Sequence, residues 1–445
     1  MQAMTYPTLD KVLQQTRRPG VPPRAARPAH LADARGCSVS GATSAALGAY
    51  ERAFAANQSW RTGADAPLEL ALREAPGFVM AHVLQAYLLL CNRDPQRARM
   101  ALPVFERAAA LPANERERMH LATIGAALAD NFNEAKARLG ELLQWYPRDA
   151  LALQVAHVFD YVTGDAERMR ERVEAVLPAW SPTLPGYAAV LAMHAFSLEE
   201  CGDYERAEDR AAQVLALDPL NARAHHAMAH VFEMTGRGEA GVRWMEEHAA
   251  GWATDTVVAT HCWWHLGLFH LAEGRLAPAL ECYDQRIRAT RSLAIADLID
   301  ASALLWRIAL AGADTGTRWA ELAAAWAPRI DDGFCSFNDL HAVLAFVGGA
   351  EWGLAQRLER KLAESQALPT RHGATTRLLG LPACRAMMAF GRGDYTLAIT
   401  LLASLPAQAH RLGGSHAQRD VLNLTLLKAV ERVRRRRPAQ QAVPA

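Results

Sequence analysis

The sequence predicts an all-α protein, a tetratricopeptide-like α-solenoid in which about ten helical hairpins stack into a right-handed superhelix closed by a C-terminal helix. Three observations predict it. Histidines recur at His82, His120, His157, His194, His230 and His265, with separations of 38, 37, 37, 36 and 35 residues, and His341 follows 76 residues later, twice 38. A period of this length belongs to stacked helical hairpins rather than to separate globular domains. Turn chemistry keeps the same beat: Gly202-Asp203-Tyr204 precedes Ala207, Ala211 and Pro219, a glycine turn, small residues where helices touch, and a closing proline. Gly393-Asp394-Tyr395 with Ala398 repeats the first half, and Gly274 with Ala279, Gly236 with Gly241, and Asp130 with Ala135 and Pro147 keep its five-residue step. Between these turns the segments read as amphipathic helices of about 12–16 residues, rich in Ala, Leu, Arg and Glu and free of β-branched alternation.

Taken in order, residues 1–42 form an irregular arm. It carries Arg17, Arg18, Arg24 and Arg27 but no apolar core of the kind a secretory signal needs. Residues 43–410 hold the repeat array, since one hairpin cannot bury its own apolar stripe and stacking supplies the missing partner. Residues 411–437 form a capping helix, entered through Gly413-Gly414 and an N-cap at Ser415 whose capping-box partner is Gln418. Residues 438–445 are a disordered tail.

Composition excludes several functions. The 445 residues carry 48 Lys+Arg against 47 Asp+Glu, a net charge of +1, with 51% hydrophobic residues and four lysines, Lys11, Lys136, Lys361 and Lys428. That balance fits neither disorder nor a nucleic-acid footprint. The longest greasy run, Val79 to Cys91, is interrupted by His82 and Gln85 and is too short for a membrane of roughly 30 Å. Seven cysteines without CxxC spacing fit a reducing, cytoplasmic setting better than a disulfide framework.

Anchored on their turn glycines, His226, His230 and Glu233 take the fifth, ninth and twelfth positions of one first helix. His261, Trp264 and His265 take the second, fifth and sixth of the next. Positions i, i+4 and i+7 share a helical face, so four imidazoles and one carboxylate are expected to converge on the groove. Three readings stay open. The residues are hydrogen-bonded packing groups, the commonest fate of helix histidines; or they form a metal-free acid/base pocket in which Glu233 fixes one imidazole tautomer; or His226, His230, His261 and His265 hold a transition metal. Against the metal, no Glu follows the first His as in zinc proteases, and Glu233 is the sole obvious carboxylate. Trp264 and Trp306 are expected as walls, Arg307 and Arg419 as forks for a carboxylate or phosphate, and His341 and His416 as further ligand contacts.

Five stretches carry a family resemblance: His226-Ala-Met-Ala-His230-Val-Phe-Glu233-Met-Thr-Gly-Arg237, His261-Cys-Trp-Trp-His265, Asp300-Ala-Ser-Ala-Leu-Leu-Trp306-Arg307, Phe337-Asn-Asp-Leu-His341 and Gly413-Gly-Ser-His416-Ala-Gln-Arg419-Asp420. Together they resemble the tetratricopeptide repeat protein 38 family over nearly the whole chain, from Asp33-Ala-Arg-Gly36 to Asp420. The resemblance implies the fold and little settled biochemistry. Cys262 stands where that family's pattern leads one to expect asparagine.

Two functions follow. The first is a binding protein whose His/Trp-lined concave pocket takes a peptide, a protein tail or a small acidic ligand, with no nucleic acid and no membrane as partner. The second is an enzyme performing hydrolysis or proton abstraction on a small molecule with the His/Glu site. The scaffold leads, because repeat arrays of this class are mostly interaction modules. The segment Gly413 to Asp420 is expected to fold over the middle repeats and enclose the pocket.

Overall fold

A computed structural model describes residues 31–436; the expectations for residues 1–30 of the arm, for residue 437 and for the tail, 438–445, lie outside them. The described chain is all-α, and no strand occurs in it beyond two isolated bridges, Ala32 with Ser38 and Arg61 with Thr256. Helices follow one another in ten pairs. The first five are α1 (Ser44–Gln58) and α2 (Asp65–Glu74), α3 (Val79–Leu90) and α4 (Pro95–Ala109), α5 (Glu115–Leu128) and α6 (Phe132–Trp145), α7 (Ala150–Thr163) and α8 (Ala166–Val176), and α9 (Tyr187–Glu200) and α10 (Tyr204–Leu217). The sixth is α11 (Ala222–Met234) and α12 (Gly238–Glu247), followed by the single turn α13 (Ala249–Trp252). Then come α14 (Ala259–Ala272) and α15 (Leu276–Cys282), α16 (Ile295–Ala311) and α17 (Arg318–Trp326), α18 (Ser336–Gly348) and α19 (Trp352–Ser365), the short α20 (Arg371–Thr375), and α21 (Leu381–Gly391) with α22 (Tyr395–Leu402). Two further helices, α23 (His416–Arg419) and α24 (Val421–Arg436), end the described chain.

One local device makes every hairpin. After each first helix a single residue turns left-handed: Trp60, Arg93, Asp130, Gly164, Gly202, Gly236, Gly274, Gly312, Ala350 and Gly393, with φ between 55 and 96°. In nine of the ten the next N–H then reaches back to the carbonyl five residues earlier, and after Arg93 the Asp94 N–H donates to Asn92 Oδ1. Asp203 bonds Leu198 at 2.9 Å, Arg237 bonds Phe232 at 2.8 Å, and Glu351 bonds Phe346 at 2.8 Å. This closure satisfies helix-end carbonyls that burial would otherwise leave unpaired. Glycine takes the position without Cβ strain, which is why the sequence punctuation is visible. The small residues five positions on are packing contacts: Ala135, Ala207, Ala279 and Ala398 are fully buried. At Gly241 a methyl group would stand 2.7 Å from the Phe269 ring.

The chain forms two compact units. The first comprises residues up to Tyr161, Asp165–Val231 and His248–Ala259. Its apolar core runs from Val39 through Phe54, Phe78, Phe105 and Leu139 to Met193. Beside that core lies a buried ionic cluster. Arg35 bonds Glu51 at 2.8 Å, Arg116 bonds Asp149 at 2.8 Å, and His120 bonds the same Asp149 oxygen at 2.9 Å. Burial alone would raise the Asp149 carboxyl, but His120 and Arg116 outweigh it and hold the group well below the usual carboxylate range. Asp33 accepts from the Cys37 backbone N–H at 3.0 Å, and Arg116 donates to the Ser38 carbonyl at 3.1 Å, so the cluster pins the segment before α1.

The second unit comprises Val162–Gly164, Phe232–Glu247 and the chain from Thr260. Its core includes Trp264, Leu304, Trp326, Phe337, Phe346, Met387, Val421 and Leu422. The turn into α23 is formed as the sequence predicts, with Ser415 and Gln418 completing a capping box. Gly413 and Gly414, at φ 75 and 86°, let that turn approach closely, since a methyl on Gly414 would stand 2.6 Å from the Phe337 ring. Trp306 donates from Nε1 to Thr425 Oγ1 at 2.9 Å, tying α16 to α24.

Candidate ligand site

In the second unit a cavity of about 480 Å³ opens among the C-terminal ends of α11, α14 and α16 and the first three turns of α24. Phe232, Leu268, Phe269, Leu310 and Leu424 line it, together with Glu233, Arg307 and Asp420. A volume of this size, mostly apolar with a few convergent polar groups, is the usual form of a small-molecule site.

Glu233 stands at the last turn of α11. Its Oε2 meets Nδ1 of the fully buried His265 at 2.9 Å. Burial lifts the Glu233 carboxyl to about 7, against the pull of the Arg307 guanidinium and His261, with Asp420 adding a small push upward. Burial and the neighbouring charges of His261 and Arg307 push His265 well below its ordinary range. The imidazole is therefore neutral, and Glu233 sets its tautomer. An ionised Glu233 accepts from Nδ1–H; a protonated one donates to Nδ1, which moves the ring proton to Nε2.

Four residues before His265, His261 donates from Nδ1 to Asp300 at 2.9 Å and stacks on Trp264 with ring centroids 5.0 Å apart and an interplanar angle of 12°. Trp264 is sealed in the core, its indole N–H has no acceptor among the described residues, and the Arg307 guanidinium lies 5.5 Å from its ring centroid. Arg307 donates to the Ala303 carbonyl at 3.0 Å and to the Ala417 carbonyl at 2.6 Å. It thereby couples α16 to α23 while one edge stays on the cavity. In both histidines Nδ1 faces a carboxylate and Nε2 points away from it, the orientation found in metal-ligating imidazoles.

The four histidines expected as one metal set divide between the units: His226 and His230 belong to the first, His261 and His265 to the second. In the first unit the Nε2 atoms of His226 and His230 are 3.1 Å apart, and His230 Nδ1 lies 3.6 Å from Glu199. His230, Glu199 and Glu200 each bring one ligand atom within 4.8 Å of the others.

Several residues expected as ligand contacts make contacts within the fold. Trp306 is buried, and its one donor is spent on Thr425. His341 is buried and donates from Nδ1 to the Phe337 carbonyl at 2.8 Å. Arg419 is buried and donates to the Gly414 carbonyl, closing the turn. His416 is exposed and stands off the cavity wall. The cavity wall is thus of Phe and Leu with Glu233, Arg307, Asp420, Lys428 and Glu431, rather than of His and Trp, because the rings pack behind it. Its leucines are residues that sequence reasoning passed over, being indistinguishable from core. Asp300 was visible as an acid opening an apolar stretch, although nothing in the sequence pointed it at His261.

Earlier members of the histidine row each meet one partner through Nε2, while Nδ1 of His82 and of His194 meets none among the described residues. His82 bonds the Pro76 carbonyl at 2.8 Å, His157 the Met193 carbonyl at 3.1 Å, and His194 lies 3.4 Å from Glu174. All seven cysteines are free thiols, and Cys262 is buried with its thiol pushed up by desolvation, so it offers no nucleophile. Among the described residues no helix is long and apolar enough to cross a membrane.

Fold and turns together define a helical-hairpin repeat protein of tetratricopeptide-like architecture. No family model matches the chain. Among solved structures it is similar to a dimer of human IFIT1 with m7Gppp-AAAA, at 13% identity and a TM-score of 0.42 over 87% of this chain and 86% of that one. It is also similar to a monomeric IFIT1 mutant with Gppp-AAAA, at 14% identity and a TM-score of 0.41 over 88% of this chain and 87% of that one.

Proposed function

We propose that this protein binds a small acidic ligand with an apolar body in the cavity of the second unit. The observation that carries the reading is the pairing, on one apolar wall, of the Arg307 guanidinium with a Glu233 carboxyl that burial keeps largely protonated up to about pH 7. A ligand carboxylate accepts from Arg307 and from the Glu233 O–H, while its apolar body lies along Leu268, Leu310 and Leu424. A cationic ligand would gain from an ionised Glu233, beside the Asp420 and Glu431 carboxylates that also line the cavity. The two cases therefore differ in sign: affinity for an acid falls as pH rises through about 7, and affinity for an amine rises.

Calorimetric titration of the full chain with octanoate and with octylamine at about pH 6 and about pH 8 tests this. Octanoate binding at the lower pH that weakens at the higher one, and that loses its pH dependence in Glu233→Gln, is the expected result. Binding of octylamine alone would replace the acid reading with a cationic one. A peptide or protein tail is the broader form of the same scaffold reading, and membership of the tetratricopeptide repeat protein 38 family and a cytoplasmic address go with it.

The Glu233–His265 pair favours a second reading. A carboxyl near 7 hydrogen-bonded to a neutral imidazole has the proton affinity that general acid/base chemistry needs at physiological pH. In an enzyme for hydrolysis or proton abstraction, Glu233 would take the proton and His265 would hold it in place. Turnover of an ester or carbonyl substrate that disappears in Glu233→Gln while ligand affinity survives would favour this reading over binding alone.

A further inference from the structure

Arg223, on the first turn of α11 in the first unit, is a buried cation without a counter-ion. It is 5% exposed, and its Nε donates to the Gln58 carbonyl. Its guanidinium carbon lies 4.2 Å from the centroid of the Trp60 ring. Among the described residues it has no carboxylate partner, so of five N–H donors only the Nε one has an acceptor. Desolvation is what lowers its pKa, to about 9, which leaves it charged at neutral pH. Elsewhere in this unit buried arginines are matched, as Arg116 is by Asp149 and Arg35 by Glu51.

The surroundings are aromatic. The Trp60 ring packs edge-on against His226 with centroids 5.3 Å apart, and His226 stands 5.4 Å from Phe196. Phe196 in turn lies 5.9 Å from His157, whose imidazole is kept neutral by burial and by the charge of Arg223. Trp60 is half-buried, so part of its ring stays on the surface beside the guanidinium, and the half-buried Phe196 stands on the far side of His226. Trp60 also occupies the left-handed turn position, φ 56°, that glycine fills in six of the ten hairpins. A tryptophan there costs backbone strain that a glycine would not, and it gains the ring that covers Arg223.

We propose that Arg223, covered by the Trp60 ring and followed by the aromatic run of His226 and Phe196, is the oxyanion-receiving end of a second ligand site, taking a carboxylate or phosphate attached to a planar ring. The vacant donors form the planar fork that matches such an oxyanion bidentately, and the aromatic faces take the ring. An anion there supplies the charge that the protein itself withholds. This site lies wholly in the first unit and does not depend on the reading of the cavity.

The test is thermal shift and calorimetric titration of the full chain with phenyl phosphate, benzoate and inorganic phosphate, comparing wild type with Arg223→Met and Arg223→Lys. The wild type is expected to bind phenyl phosphate or benzoate more tightly than inorganic phosphate, and the preferred one of the first two assigns the oxyanion. Arg223→Met removes an uncompensated buried charge at similar volume, so the unliganded variant should be at least as heat-stable as the wild type while its anion affinity falls roughly tenfold or more. Arg223→Lys keeps the charge without the fork and should bind more weakly than wild type. The inference is overturned if none of the three anions binds the wild type or if Arg223→Met binds them equally well. Should Arg223→Met fail to fold, undiminished affinity in Arg223→Lys overturns it in the same way.

Discussion

Glu233 and Asp149 are both carboxylates packed against an imidazole, yet their neighbours drive them in opposite directions. At Glu233 desolvation wins, and the folded-state value near 7 exceeds the ordinary 4.5. The folded chain therefore holds a proton that the unfolded chain has released, and this group's contribution to stability is greatest at low pH and is lost as pH rises from about 4.5 to about 7. In Glu233→Gln that part of the pH dependence should vanish, which urea titrations across this range will read. At Asp149 the cations win, so the sign reverses. Its contribution is full above the ordinary value of 3.8 and is lost on further acidification. Asp149→Ala leaves Arg116 and His120 buried without their carboxylate and is expected to cost about 3–5 kcal/mol in chemical denaturation. A cost below about 1 kcal/mol would mean that water compensates the cluster.

At the level of the element, the recurrent unit is a helix end closed by one left-handed residue, and the identity of that residue sets a local cost. Ala350 holds φ 55° at an exposed position between α18 and α19. A side chain with Cβ loses about 1–2 kcal/mol there, partly offset by the smaller unfolded-state entropy of alanine. Ala350→Gly should therefore stabilise by roughly 0.5–1 kcal/mol, seen as a higher apparent melting temperature with unchanged helicity. Gly414 is the reverse case. Its φ of 86° and the Phe337 ring 2.6 Å from a would-be methyl leave no room for a side chain. Gly414→Ala should displace α23, whose Ala417 lines the cavity and accepts from Arg307. Octanoate affinity should fall several-fold while the circular dichroism stays that of the wild type, since only one short helix moves.

Across the whole chain, stability in a hairpin array is carried between neighbours rather than by one central core. Removing the chain from Gly413 onward strips α24 from the second unit and exposes the core that Val421, Leu422 and Ala429 cover. Most of the helical signal should survive, because the preceding hairpins keep their partners, but the cavity loses Ala417, Asp420 and Leu424 and with them its ligand. A truncated chain that melts as a whole, with no residual helicity, would show that this helix is integral to cooperativity rather than a closing element.

Period, hairpin count and turn positions were legible in the sequence because each is encoded within a few residues: a left-handed turn, a small residue five positions on, an apolar stripe. Gly202, Gly236, Gly274 and Gly393, and Asp130 through its five-residue step to Ala135, announce their turns; Trp60, Arg93 and Ala350 fill the same conformation with residues that give no such signal. Even where the residue type was visible, its partner was not. Asp300 meets His261, Asp149 meets His120, and Arg223 meets an indole instead of an acid, each across a helix boundary. Successive side chains on a helix point about 100° apart. A contact between two hairpins therefore depends on how each helix is rotated and how far it has risen, and packing against the neighbours decides both. The local code determined that hairpins form and where they turn; only the packed helices decided which charge is paired, which is left to a ligand, and which carboxyl holds its proton near pH 7.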